Sequence, residues 1–173
     1  LALTVQELKK LFEGFDTTDL VFQTNPLWGA ETTGSKYLLL ESLKPFAAFK
    51  YSKSHCDDLG GFLALNPASP TGVGLDIEQE SRIHLPVVKR VSSQATSDNF
   101  KSVWVALEAS FKGLRGFKQP QTLSQIQVDQ FVKVDSRIET FCLKDPQLYG
   151  VKTTRGIVYK SESHFFAFFL SKA

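Results

Sequence analysis

No stretch of this sequence approaches the roughly 18 consecutive apolar residues that span a bilayer. The most apolar run, Phe165-Phe166-Ala167-Phe168-Phe169-Leu170, is far too short, so no membrane partner is expected. Cysteine is scarce as well. Cys56 and Cys142 are the only two, too few for a disulfide framework and not spaced as a metal-ligand pair, so reduced thiols in a cytoplasmic protein are the expectation. An excess of one charge is also missing. Twenty Lys+Arg against eighteen Asp+Glu leave a net charge of +2, without the clustered basic surplus of a nucleic-acid binder, and any anion site must therefore be local. The opening Leu1-Ala2-Leu3-Thr4 lacks the basic region of a secretory signal, and the absence of an initial methionine leaves room for residues ahead of it. Neither an internal repeat nor a low-complexity linker divides the chain.

What is present reads as one folded unit. Hydrophobic residues make up 42% of the 173 and charged residues 22%, a balance far from that of disordered chains. Leu8, Leu11, Phe12 and Phe15 recur at helical spacing and predict a short amphipathic helix over 5–15. A strand is expected around Leu20-Val21-Phe22, and a second helix over 36–49 with Pro45 as a breaker near its end. Gly61-Phe62-Leu63-Ala64-Leu65 and the run over 73–78 read as two strands joined by a tight connection through an Asn-Pro-Ala-Ser-Pro turn. Phe100, Val103, Trp104, Leu107 and Phe111 predict a long helix over 98–114, with Asp98 as N-cap and Gly113 or Gly116 as its stop. Beyond Pro120 the chain is strand-like near 123–134, 137–143, 149–159 and 164–170. Helices first and an antiparallel run last predict an α+β fold with the long helix against the sheet.

Three segments carry the chemistry. In Gly72-Val73-Gly74-Leu75-Asp76-Ile77-Glu78, two carboxylates stand at i and i+2 on an apolar strand and point to one face. Such a pair suits magnesium, which takes one or two carboxylates and completes its shell with water and phosphate oxygens; spacing alone also fits a solvated acidic strand end. On the long helix, Trp104, Glu108 and Lys112 follow one another at four-residue steps and share a face, as a recruited carboxylate and cation or as a plain surface ion pair. Tyr51-Ser52-Lys53-Ser54-His55 gathers a lysine, a histidine and hydroxyls just before a strand, where side-chain and backbone donors hold phosphate oxygens as readily as they form a plain loop. No elbow-type glycine turn surrounds Ser54, so a serine hydrolase is not expected. His84 and His164 show no partner by spacing and read as structural.

Taken in order, Ser54-His55, Gly74-Leu75-Asp76-Ile77-Glu78 and Trp104-x-x-x-Glu108-Ala109-x-x-Lys112 resemble the three motifs of the 4′-phosphopantetheinyl transferases of the two-lobed, surfactin-synthetase-activating type. Lys89-Arg90-Val91-Ser92 is similar to the family's stretch between its second and third motifs. The resemblance covers about residues 50–118. It implies a fold of two pseudo-related α/β lobes, the first reduced to about residues 1–50 and the motif-bearing lobe over about 51–173. It implies Asp76, Glu78 and Glu108 as magnesium ligands, Ser54 and His55 on the phosphates of coenzyme A, and Lys112 on the pyrophosphate. Glu108 and Lys112 would be the catalytic pair, and an apo acyl or peptidyl carrier protein the acceptor, its serine receiving phosphopantetheine as 3′,5′-ADP departs. Two departures stand out. The family's third motif reads W-x-x-K-E-A, and Leu107 occupies the lysine position, which removes a cation from beside the metal. The short first lobe offers only Lys36, Lys44 and Lys50 as nearby cations for the adenosine 3′-phosphate. The alternatives are a weak or inactive relative that binds coenzyme A or a carrier without transfer, and an unrelated α+β binding module.

Overall fold

The computed structural model describes residues 2–30 and 32–173. Its fold is α+β, with two antiparallel sheets and, among the described residues, four α-helices. The first sheet holds β1 (Val21–Asn25), β3 (Leu59–Leu65) and β2 (Lys50–Cys56) in that spatial order. The second runs β4 (Thr71–Gln79), β8 (His164–Lys172), β7 (Thr153–Lys160), β6 (Ile138–Phe141), β5 (Val132–Lys133). Because β1 pairs with β3 and β3 with β2, the first sheet extends across residue 50 to Leu65.

Alternation along the strands decides the layers. On β8, Phe166, Phe168 and Leu170 enter one core while Phe165, Ala167 and Phe169 enter another, so the long apolar run is a central strand buried on both faces. On β3, Leu63 and Leu65 join the Phe168 core, whereas Phe62 and Ala64 face the opposite way, toward Trp28, Leu39 and Leu43. Phe22 of β1 meets Phe168 edge-on with ring centroids 4.8 Å apart. The first sheet therefore folds over one face of the second, enclosing a shared core that Leu8 and Phe12 of α1 (Val5–Leu11) complete. Two helices cover the outer faces: α2 (Thr33–Leu43) the first sheet, α4 (Phe100–Gly113) the second. No helix among the described residues is long and apolar enough to cross a membrane.

Several sequence expectations shift here for identifiable reasons. Helix α1 opens on a capping box between Thr4 and Glu7 and ends at Leu11 rather than 15, since Phe12 leaves helical geometry and Gly14 turns the chain at φ +81°. Helix α2 ends at Leu43, two residues ahead of Pro45. The N-cap position of α4 is Asn99, not Asp98, and Gly113 closes the helix. Strands β3 and β4, expected as a tightly joined pair, belong to different sheets. The expected strand over 123–134 is mostly loop: apart from β5, its pairing is a single bridge of Val128 to Leu143, while the Gln94 side chain takes the Val128 N–H and C=O. Residues 85–91 form the short helix α3 (Leu85–Val91), entered through Pro86 in its first turn.

Candidate active site

The site is built by two glycines. A Cβ on Gly72 would lie 1.8 Å from the Gly113 carbonyl oxygen, and one on Gly74 would lie 1.9 Å from that of Ala109. Only glycine at both positions lets the last turns of α4 rest directly on the β4 backbone. Ser171 on the neighbouring strand fixes the contact by donating to the Gly113 oxygen at 2.8 Å. Since Gly72 meets Gly113 and Gly74 meets Ala109, helix and strand run in opposite senses. The next residues on that face of β4, Asp76 and Glu78, therefore come opposite the earlier helix turns that carry Glu108 and Trp104. The period of two on the strand and of 3.6 on the helix thus converge on one cleft.

The edge of β4 away from β8 meets β2, and serine side chains bridge them. Ser52 Oγ accepts from the Leu75 N–H and Ser54 Oγ from the Ile77 N–H, both at 3.0 Å. Each step of two on one strand matches a step of two on the other, so the strands run parallel, with hydroxyls replacing ladder bonds at an otherwise unpaired edge. The segment over 51–55 is accordingly strand rather than loop. Ser52, Ser54 and Cys56 point inward while Lys53 and His55 stay exposed.

Ser54 ties this seam to the carboxylates by donating to Asp76 Oδ1 at 3.2 Å. Lys112 Nζ donates to the same Oδ1 and to the Leu75 carbonyl oxygen, each at 2.9 Å, and approaches Ser54 Oγ at 3.4 Å. Both partners of Asp76 engage Oδ1, so Oδ2 is the oxygen a cation would take. Together Lys53, Ser54, His55, Asp76, Glu78, Trp104, Glu108 and Lys112 line an open cleft of about 350 Å³. All six residues singled out from the sequence, Ser54, His55, Asp76, Glu78, Glu108 and Lys112, lie in it, with Ser54 and Asp76 buried and His55 at the exposed rim. No family model matches the chain, and no curated protein matches it.

Three carboxylates against Lys112, with Lys53 exposed at the rim, leave an anionic centre in a half-buried place. Burial pushes the Glu108 carboxyl above the ordinary range, and Asp76 pushes it further against the opposing pull of Lys112. Burial likewise raises Glu78, again with Asp76 next in effect. Such a donor set, all oxygen and mutually repelling, fits a hard divalent cation. The three carboxylates stand farther apart than the 4.8 Å within which another trio, Cys56, Asp58 and His164, gathers its donor atoms, and Glu78 and Glu108 each have three side-chain torsions with which to close on a shared ion.

Two sequence readings change. Leu107 is fully buried in the core between α4 and the second sheet, among residues such as Val103 and Leu114, and so does not stand in for a cation beside the carboxylates. Leu107→Lys is expected to destabilise the protein by about 2–4 kcal/mol, the cost of burying an unpaired ammonium, as a fall in the urea midpoint. An unchanged midpoint would instead show that the lysine escapes the core. The second change concerns His164. It has a partner after all, Asp58, at 2.8 Å from Nε2, hidden from the sequence by a separation of 106 residues.

Proposed function

We propose that this chain is a magnesium-dependent transferase that moves the 4′-phosphopantetheine arm of coenzyme A onto a serine of an apo acyl or peptidyl carrier protein, on a fold of the two-lobed phosphopantetheinyl transferase type. The observation that carries the reading is the convergence of Asp76 and Glu78 from β4, Glu108 and Lys112 from α4, and Ser54 and His55 from β2 on one cleft. Asp76, Glu78 and Glu108 would hold the ion. When bound, magnesium supplies positive charge to the non-bridging oxygens of the pyrophosphate, the main requirement of phosphoryl-type transfer.

The chain's own residues do the rest. His55 binds phosphate oxygens from the β2 side, Ser54 joins it only by giving up its hydrogen bond to Asp76, and Lys112 meets the pyrophosphate from α4. Glu108, directly or through a water, takes the proton of the carrier serine. The serine oxygen then bonds to the phosphorus on the pantetheine side, and the bond to 3′,5′-ADP breaks. A neighbouring cleft of about 330 Å³ shares Lys112 and adds Lys50 and Arg115, cations placed for the adenosine 3′-phosphate of a ligand too long for one cleft. Of the three lysines expected for that role, Lys50 lines this cleft, whereas Lys44 pairs with Glu41 at 2.6 Å.

The test is incubation with coenzyme A, magnesium and a panel of apo carriers, read by mass. A gain of one phosphopantetheine on a carrier supports transfer. One observation favours the second reading, a relative that binds coenzyme A or a carrier without transferring: Lys112 already neutralises Asp76 within the site. Nucleotide binding with no gain on any carrier would favour it.

Metal dependence has its own signature. The raised carboxyls of Glu78 and Glu108 mean that, in this window, the native state binds more protons than the unfolded chain. Without a cation, stability contributed by these two groups therefore rises as pH falls through their folded values toward the ordinary 4.5, and is lost above them. Magnesium at tenfold over its Kd should raise Tm at neutral pH by about 3–6 °C. The gain should shrink as pH falls into the carboxylate range, where protons compete. A Tm at neutral pH indifferent to magnesium would sink the metal assignment.

A further inference from the structure

Outside the cleft, among the described residues, one other cluster brings three potential metal donors together: Cys56 at the end of β2, Asp58 in the turn to β3, and His164 at the start of β8, their ligand atoms all within 4.8 Å of one another. We propose that these three side chains form a second metal site, for a zinc-class transition ion, clamping the first sheet to the second. The proposal stands apart from the magnesium reading and uses none of its residues.

The donors and their support argue for an ion. Sulfur, imidazole nitrogen and carboxylate oxygen are the mixture that four-coordinate zinc accepts, whereas magnesium rejects it. Cys56 Sγ and His164 Nε2 both address Asp58 Oδ1, at 3.5 and 2.8 Å, so all three donor atoms already face one point. A histidine–aspartate hydrogen bond alone accounts for two of them; the thiol, which packs in the shared core and also donates to the Leu59 carbonyl oxygen at 3.5 Å, is the third donor brought to the same point. The ring is also held from behind, with Ser163 Oγ 2.9 Å from His164 Nδ1. The Ser163 hydroxyl is able to accept from Nδ1–H once Nε2 gives up its own proton to an ion, and a partner of this kind is the usual support behind a metal-ligating histidine. Cys56 and His164 are buried, while Asp58 has half its side chain in solvent, which gives the ion an entry and a fourth position for water.

Binding forms a sulfur–metal bond and releases the thiol proton to solvent. Burial, followed by Asp58, otherwise holds that thiol up at about 12, so without an ion Cys56 is a poor nucleophile, and an ion has to displace its proton to bind. The chain positions joined are far apart: Cys56 and His164 come from opposite sheets, so an ion here closes a long loop at the mouth of the seam between β2 and β4.

Cobalt(II) titration of the full chain is the test. The wild type is expected to develop a near-ultraviolet thiolate-to-cobalt charge-transfer band together with the strong visible bands of a four-coordinate ion. Cys56→Ser should abolish the charge-transfer band and Cys142→Ser should keep it. Asp58→Asn, which keeps an oxygen and a similar volume at an exposed turn, should weaken cobalt affinity by at least about tenfold. Glu108→Gln should leave the band intact, because it belongs to the other site. Zinc at 100-fold over its Kd should displace cobalt and raise Tm by about 5–10 °C. A wild type with no thiolate band under excess cobalt overturns the proposal, as does a band that survives Cys56→Ser or an affinity unmoved by Asp58→Asn.

Discussion

Asp76→Asn and Glu108→Gln are each expected to lower magnesium-dependent transfer of phosphopantetheine by at least about 10²–10³-fold while the protein remains folded. Each removes one negative oxygen from the set that would hold the ion, and neither changes side-chain volume. The choice of amide matters most at Asp76. Its carboxylate does two jobs, since it offers Oδ2 to a cation and also neutralises Lys112 and accepts from Ser54 through Oδ1. Alanine would leave the Lys112 ammonium, one-fifth exposed, without its counter-charge, and about 3 kcal/mol of stability would go with it. Lost activity would then report a damaged fold. Asparagine also removes the counter-charge but keeps an oxygen for Ser54 and Lys112, so it should cost less stability than alanine, and transfer scaled to the folded fraction separates the two effects. At Glu108 the amide should even help folding: it removes a carboxylate that burial and Asp76 both disfavour, so the metal-free Tm should rise as activity falls. Two amide variants that transfer at the wild-type rate would show that these carboxylates hold no catalytic ion.

The grouping of these six residues is partly legible in the sequence, and for a physical reason. The face shared by Asp76 and Glu78 follows from the strand period, and the face shared by Trp104, Glu108 and Lys112 follows from the helix period. Local geometry says nothing about which strands pair. β4 joins β8, whose register sets Asp76 against Ala167, and no turn signal links segments that far apart. β2 escaped for a different reason. Its inward positions are Ser52, Ser54 and Cys56, so the alternation is carried by small polar groups rather than apolar ones. They sit where they do because an edge strand's N–H groups need hydroxyl acceptors there. Leu107 is the instructive case. The family pattern lends that position a cation's role, yet Val103, Leu107, Ser110 and Leu114 trace the buried stripe of α4 at i, i+4, i+7 and i+11, and the helix period alone assigns Leu107 to the core.

The glycines of β4 should prove as important as the carboxylates, and Gly74→Ala is expected to destabilise the protein by about 3–5 kcal/mol. A glycine-to-alanine change in an open strand reduces the freedom of the unfolded chain and is stabilising by up to about 1 kcal/mol. Gly74 reverses that sign because its new methyl would lie 1.9 Å from the Ala109 oxygen and 2.8 Å from the Ala109 carbonyl carbon. Both are backbone atoms of a helix, so no side chain can swing aside and α4 must lift from the sheet. Lifting it opens the core around Val105, Ala109 and Phe169, all fully buried. It also moves Glu108 and Lys112 away from Asp76, so transfer should fall further than the remaining folded fraction explains. Gly34→Ala provides the control. It lies inside α2, where the nearest atom to a new methyl is Thr32 Oγ1 at 3.9 Å, and it should gain about 0.5–1 kcal/mol from helix propensity. Urea midpoints for the two variants should therefore move in opposite directions. Should Gly74→Ala match the wild type, direct contact between α4 and β4 would not be what sets the carboxylates opposite one another.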